Sequence, residues 1–197
     1  MKTKHILVTF LFVAVSVCAC VASGFAQTMS APAAAPAAQQ AAAPVKDPVA
    51  TGLRILLPRS RTNTLGAIAA MPADKFNYKP TPDQMNFAHL VVHIIGFNNS
   101  FCAKAANIAE PKVEEVKESD SKDKLLAAAT ASYDFCADAL GKMDDSKLGD
   151  SIELFGRQVP RALAALIVAS GWADHYAAAA MYLRLNGVVP PSAQPKK

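Results

Sequence analysis

The stretch PRALAALIVASGWADHYAAAAMYLRLNG, residues 160–187, is apolar on nearly every side if it is drawn as a helix. Its pattern predicts one long helix that begins near Pro160 and ends at Gly187, a residue type that favours helix termination. A helix without a polar face is typical of the central member of a helical bundle, where neighbours cover several sides. Asp174 and His175 lie inside this helix, and burying an ionisable group costs free energy unless a partner compensates. Both side chains are therefore expected to have partners.

The remaining sequence predicts three further helices and an all-α, four-helix-bundle fold. No run alternates apolar and polar residues with the period of a half-buried strand, whereas several runs have spacings of three and four. The first helix is expected to open at Asp47 as N-cap with Pro48 in its first turn, and Pro58 should kink or split it. The second should begin at residues 81–84, Thr-Pro-Asp-Gln, and the third after the Ser-Asp-Ser of residues 119–121.

The N-terminus has the pattern of a secretory signal peptide, residues 1–26. Lysines precede an apolar run that is short for a membrane span, and small residues lead up to a cleavage site after Ala26. The sequence thus predicts an exported protein, either periplasmic or secreted. In the alternative, a signal peptidase for lipoproteins acts before Cys20, and a lipid on that cysteine anchors the protein to a membrane.

The rest of the chain divides into a linker, one domain and a tail. Residues 27–46 are Ala, Pro and Gln rich, a composition that buries too little apolar surface to order the chain, and they predict a disordered tether. Residues 47–191 have the length of one domain, and residues 192–197 form a short flexible tail. The formal charge of +4 falls to +2 once Lys2 and Lys4 leave with the signal. The remaining charges are scattered, so nucleic-acid binding is not indicated.

Two of the four cysteines lie in the signal, which leaves Cys102 and Cys136 in the mature chain. A pair of cysteines in an oxidising compartment favours a disulfide, which would join the second and third helices. The alternative is two buried thiols that act as small apolar residues. A catalytic thiol ranks third, because no basic residue adjoins either cysteine in sequence to lower its pKa.

Three histidines remain after signal removal, His89 and His93 on the second helix and His175 on the fourth. A spacing of four residues puts the first two imidazoles on the same helical face. Imidazole is a common ligand of zinc and nickel, and it is the side chain that titrates near neutral pH. The pattern indicates a metal or acid-base site, while a hydrogen-bonded surface or core histidine remains the simpler interpretation for His89.

Several motifs resemble the DinB-like family (DinB/YfiT type) of four-helix-bundle metalloproteins. They are the FAHLVVH of residues 87–93 with Cys102 downstream, the KPTP of residues 79–82, and the His175-Tyr176 pair followed by YLRLNGVVPP at residues 182–191. The resemblance spans essentially residues 47–191 and implies a metal site of three histidines. One ligand, on the second helix, matches His93, and the second member of a His-x-x-x-His pair on the fourth helix matches His175.

The first member of that pair is Gly171 in this chain, and glycine has no side chain to coordinate a metal. The resemblance therefore implies an altered site, for which four arrangements are open. His89 could swing into the space at position 171 and restore three ligands, or Asp174 could add a carboxylate. Two histidines alone could hold a divalent metal, zinc or nickel, weakly. In the fourth arrangement the domain binds no metal.

Two function classes follow from these arrangements, and the residues leave open whether the protein is an enzyme. The first is an exported DinB-like enzyme that depends on a divalent metal and catalyses thiol transfer or hydrolysis on a small molecule; its catalytic residues are not identifiable from the sequence. The second is a non-catalytic binding or structural bundle that has lost the metal. Asp174, Tyr176 and Arg184 are further candidate site residues. A homodimer is compatible with either class, and membrane contact is expected only for the lipoprotein form at Cys20.

Overall fold

The computed structural model describes residues 43–195. The predicted signal peptide, the lipid attachment site at Cys20, residues 27–42 of the predicted tether and the last two residues of the tail lie outside the described residues. Within residues 43–195, no helix combines the length and the apolar character needed to cross a lipid bilayer.

Four α-helices form the bundle and confirm the predicted fold class: α1 (Pro48–Ala70), α2 (Phe87–Ala106), α3 (Lys122–Lys142) and α4 (Ala162–Leu185). Helices α1 and α2 each pack against both α3 and α4, and apolar residues from all four helices build one continuous core. Single 3₁₀ turns lie at Ala73–Lys75, Asp145–Lys147 and Pro191–Ala193. The segment between α2 and α3 is an irregular connection.

A short β-hairpin precedes α4, so the expectation of a domain without strands is wrong. Strand β1 (Ser151–Leu154) pairs antiparallel with β2 (Arg157–Pro160). The two turn residues Phe155 and Gly156 have φ angles of 53° and 71°, as a tight hairpin turn requires. Each strand has four residues and only Leu154 is buried, so the alternation is too short to stand out in the sequence.

The second helix begins later than predicted. Residues 81–84 form a turn in which Gln84 N donates to Thr81 O (3.2 Å), and the helix starts at Phe87. Asn86 is the N-cap, since its side chain accepts from His89 N at 2.7 Å. A second capping residue next to the apolar run therefore overrides the earlier Thr-Pro signal. The third helix does begin after the predicted Ser121.

Helix α1 is continuous through Pro58, so the alternative with two separate segments is wrong. Pro48 occupies its first turn as predicted, but Asp47 has a left-handed backbone (φ 48°) and does not cap its own helix. Asp145, beyond the end of α3, takes over this role. Its two carboxylate oxygens accept from the N–H groups of Val49 and Ala50, each at 2.9 Å.

The opposite end of α1 is also held by a residue of α3. Lys122, in the first turn of α3, donates from Nζ to the carbonyls of Ala69 (2.6 Å) and Met71 (2.8 Å). These carbonyls are left without intrahelical partners where α1 ends. Lys122 at the start of α3 and Asp145 just beyond its end thus satisfy backbone groups at the two ends of α1.

Helix α4 is not a central helix, contrary to its prediction. Its main helical neighbours are α1 and α2, and several large apolar side chains on it are exposed, with Leu166 at 63%. Alanine makes up much of the helix, and its small side chain adds apolar character without requiring burial. The composition therefore overstated how much of the helix the bundle covers.

The interior of the described domain contains a polar cluster around Asn98 and a disulfide between helices. Asn98 on α2 is fully buried; its amide donates to Ser132 Oγ (3.0 Å), and its carbonyl oxygen accepts from Trp172 Nε1 (3.0 Å). Cys102 and Cys136 form a disulfide that joins α2 to α3, as the favoured interpretation of the cysteine pair predicted.

Candidate functional site

His93 and His175 meet between α2 and α4. Their ring centroids are 4.9 Å apart, and the two rings are perpendicular. His93 is exposed, whereas His175 is only partly accessible. The structure thus brings together the two histidines that the sequence placed on different helices.

Phe97, one turn after His93 on α2, is the third ring of this site. Its ring meets His175 edge to face, with centroids 4.6 Å apart. The same ring lies against the backbone of Gly171: a Cβ built there would be 2.7 Å from Cε2 and closer still to Cζ. The space beside position 171 is therefore filled by an aromatic side chain.

His89 lies outside the cluster. Its Nδ1 is 2.7 Å from Glu118 Oε1, and half of the side chain is exposed. The pKa of Glu118 is lowered, first by its hydrogen bond to His89 and next by one from Asn86. The arrangement in which His89 swings towards Gly171, one of the four left open by the sequence, is not observed, and the Phe97 ring occupies that space.

The environment of His175 keeps its imidazole neutral. The pKa of His175 is lowered from 6.5 to about 4, chiefly by burial and next by the nearby His93, while Asp174 opposes these effects. Its Nδ1 is buried without a hydrogen-bond partner among the described residues. Such an unsatisfied polar atom is uncommon in folded proteins and calls for an explanation.

The two histidines line a cleft of about 470 Å³ that opens beside α4. Apolar and acidic side chains complete its wall, and the lining residues are Asp83, Gln84, Met85, Leu90, His93, Asp174, His175, Ala178, Met181 and Tyr182. Tyr182 donates its hydroxyl to Met85 O at 2.5 Å and so holds the segment before α2 against α4. This volume is within the usual range for small-molecule sites.

The other candidate residues divide between the cleft and its surroundings. Asp174 lines the cleft and is exposed. Tyr176 borders a separate groove between α1 and α4; its hydroxyl donates to Ser192 Oγ (2.6 Å) and accepts from Ser192 N (2.8 Å). Ser192 belongs to the segment predicted as a flexible tail, and in the structure it contacts Tyr176 on α4 through its backbone N–H and its hydroxyl. Arg184 is exposed near the end of α4 and does not line the cleft.

Sequence reasoning missed Phe97 and the segment Asp83–Met85. One signal for Phe97 was available, since residues 89, 93, 97 and 101 follow each other at intervals of four on α2. This spacing does not show how deeply each of the four rings is buried between α2 and α4. The segment before α2 was read as the start of the helix, which hid its place at the cleft.

The residues present do not fit the three-ligand metal site that the family resemblance implies. Within residues 43–195, no three His, Cys, Asp or Glu side chains are grouped so that they could hold a metal ion together. His93 and His175 are two imidazoles at one place, and the position of a third ligand is taken by the Phe97 ring.

The chain belongs to the DinB superfamily, because the model of that family matches residues 56–177. The chain is similar to the DinB-like protein YjoA of Bacillus subtilis, with 20% identity and a TM-score of 0.59 over 74% of this chain and 99% of that one. A DinB-like protein of Bacillus cereus matches with 14% identity and a TM-score of 0.59, over 72% of this chain and 95% of that chain. Comparison with curated proteins finds no match.

Proposed function

We propose that this protein is an exported DinB-superfamily domain that binds a small organic molecule in the cleft, with His93 and His175 contacting the ligand directly. One observation carries the proposal: a neutral imidazole adjoins a second, exposed imidazole at the wall of a cleft of ligand size. A neutral imidazole offers both a hydrogen-bond donor and an acceptor, so the pair can recognise polar groups of either kind.

The low pKa of His175 favours a role in ligand binding over a role as an acid-base catalyst. A general base works best when its pKa is near the working pH, and a pKa of about 4 makes this imidazole a weak base at neutrality. The apolar part of the cleft, with Leu90, Met181 and Ala178, suits a ligand that also has a hydrocarbon portion.

A fragment screen by NMR with labelled histidine side chains tests this proposal. We expect bound fragments to shift the signals of His93 and His175 and to leave His89 unchanged. The variants His93→Ala and His175→Ala should lose the binding, and the matched control His89→Ala, a histidine on the same helix but outside the cleft, should keep it. Fragments that bind equally to the His93→Ala/His175→Ala double variant would exclude the imidazoles as the recognition groups.

A second candidate is weak binding of zinc or nickel by the two histidines, with the metal supplying Lewis-acid chemistry. The distance of 4.9 Å between their rings favours it, because two imidazoles that close could share one ion. Elemental analysis of the purified protein, with His93→Ala and His175→Ala beside it, separates the candidates. A stoichiometric metal that both variants lose supports the metalloprotein, and an equal metal content in all three proteins rejects these ligands.

Export is supported by the pattern of residues 1–26, and mass spectrometry of the mature protein tests it. An N-terminus at Gln27 is expected for cleavage after Ala26. A diacylated Cys20 at the N-terminus would instead establish the lipid-anchored form, and a retained Met1 would contradict export by either route.

A further inference from the structure

We infer that Phe97 and Gly171 form a matched pair in which the aromatic ring takes the volume that any side chain at position 171 would need. The absence of a side chain at position 171 is then only half of the difference from the three-histidine site that the family resemblance implies. The Phe97 ring also occupies the space that a third ligand on α4 would need. This inference does not depend on whether an organic molecule binds in the cleft.

The first support is the overlap at Gly171. A Cβ there would approach three atoms of the Phe97 ring more closely than real Cβ atoms come to neighbours. At the helical glycines Gly52, Gly96 and Gly141, by contrast, an added Cβ would have no neighbour within 4 Å. Glycine is unfavourable in the middle of a helix, so a buried one needs a packing reason, and the ring supplies it.

The second support is that the Phe97 ring has two aromatic neighbours. It stacks on Phe101, with centroids 4.8 Å apart and planes at 29°, and it meets His175 edge to face, with centroids 4.6 Å apart. Moving the ring away from position 171 would disturb both contacts. A side chain at position 171 therefore requires the ring to move, and these two contacts oppose that movement.

Thermal unfolding of Gly171→Ala, Phe97→Ala and the corresponding double variant tests the overlap. In the middle of a helix, Gly→Ala normally raises stability. We expect Gly171→Ala to lower the Tm of the parent by roughly 5 °C, and to raise it when Phe97 is already alanine. If Gly171→Ala raises the Tm equally in both backgrounds, the ring does not exclude a side chain and the inference fails.

Nickel binding tests the chemical consequence, with Ni²⁺ as the probe and calorimetry at neutral pH as the readout. We expect the Gly171→His/Phe97→Ala variant to bind roughly 100-fold more tightly than the parent, because it has three imidazoles and room for them. Gly171→His alone should gain little. The Gly171→Ala/Phe97→Ala variant has the same space without the third imidazole, so it should bind like the parent.

A second control removes a ring that does not touch position 171. Gly171→His/Phe101→Ala should resemble Gly171→His alone in both Tm and nickel affinity. The inference is overturned if Gly171→His by itself binds nickel as tightly as the variant that also lacks Phe97. It is equally overturned if the Gly171→His/Phe97→Ala variant, shown to be folded by circular dichroism, binds no more tightly than the parent.

Discussion

Polar side chains of α2 contact α4 at two places, and the two places differ in how completely their polar groups are hydrogen-bonded. Asn98 points into the core, where its amide pairs with Ser132 and its carbonyl oxygen with Trp172. Five residues earlier on α2, His93 meets His175, whose buried Nδ1 has no partner among the described residues. The complete network serves folding, whereas the incomplete one is the better candidate for binding, because folding alone does not explain its cost.

The disulfide beside the core network should give the largest effect. Cys102 and Cys136 are 34 residues apart in sequence, and closing a loop of that length stabilises a protein by about 3–4 kcal/mol in the chain-entropy model. We expect Cys102→Ala/Cys136→Ala to lose stability of this size in denaturant unfolding. The parent with reducing agent present is the control and should fall to a similar value. Equal stability of the parent and the variant would show that the disulfide does not stabilise the folded bundle.

Replacement of Asn98 should be next in size. Asn98→Ala removes two side-chain hydrogen bonds and leaves Trp172 Nε1 buried and unpaired, which should cost about 2–3 kcal/mol. The chain has a single tryptophan, so its fluorescence reports the change directly. Asn99→Ala is the matched control and should be nearly neutral, because Asn99 Oδ1 has no hydrogen-bond partner within residues 43–195. Equal losses in both variants would contradict the special role of Asn98.

The pH dependence of stability tests the second place of the comparison, the pair of His93 and His175. Because the pKa of His175 is lowered from 6.5 to about 4, the unfolded chain binds a proton more readily between these values. Stability should therefore be lost as the pH falls from about 6.5 through 4. The full shift is equivalent to about 3 kcal/mol, and partial exposure reduces this to about 1–2 kcal/mol.

Urea unfolding of the parent and of His175→Phe at neutral and at acidic pH measures this contribution. The variant has no titrating ring at position 175, so its stability should depend less on pH over this range. Parallel pH profiles for the two proteins would show that His175 is not buried in the neutral form.

The smallest effect is expected at the surface pair of His89 and Glu118. Both side chains are about half exposed, and exposed ion pairs contribute little in water. His89→Ala and Glu118→Gln should each change stability by less than about 0.5 kcal/mol. A loss as large as that of Asn98→Ala would mean that His89 has a role in the bundle that its surface position does not indicate.

The four helices were predicted from local spacing in the sequence, whereas the pairing of His93 with His175 was predicted from the resemblance to the DinB-like family. The sequence did not predict the hairpin, whose four-residue strands are too short for a periodic pattern. The start of α2 was misplaced because two capping signals lie close together, and only packing decides between them. Phe97 was missed for a related reason. The side chain that fills the space at a glycine depends on how closely two helices approach each other. The sequence of one helix does not determine that distance.

The capping of α1 sets a register between two helices that are far apart in the chain. Asp145, just beyond the end of α3, caps the first turn of α1, and Lys122, in the first turn of α3, caps its last turn. The two helices must therefore match in length for both caps to form. One residue inserted into either helix would rotate the following part by about 100° and shift it by about 1.5 Å, and one of the two caps would be lost. In evolution or in engineering, α1 and α3 should therefore tolerate substitutions but lengthen or shorten only together.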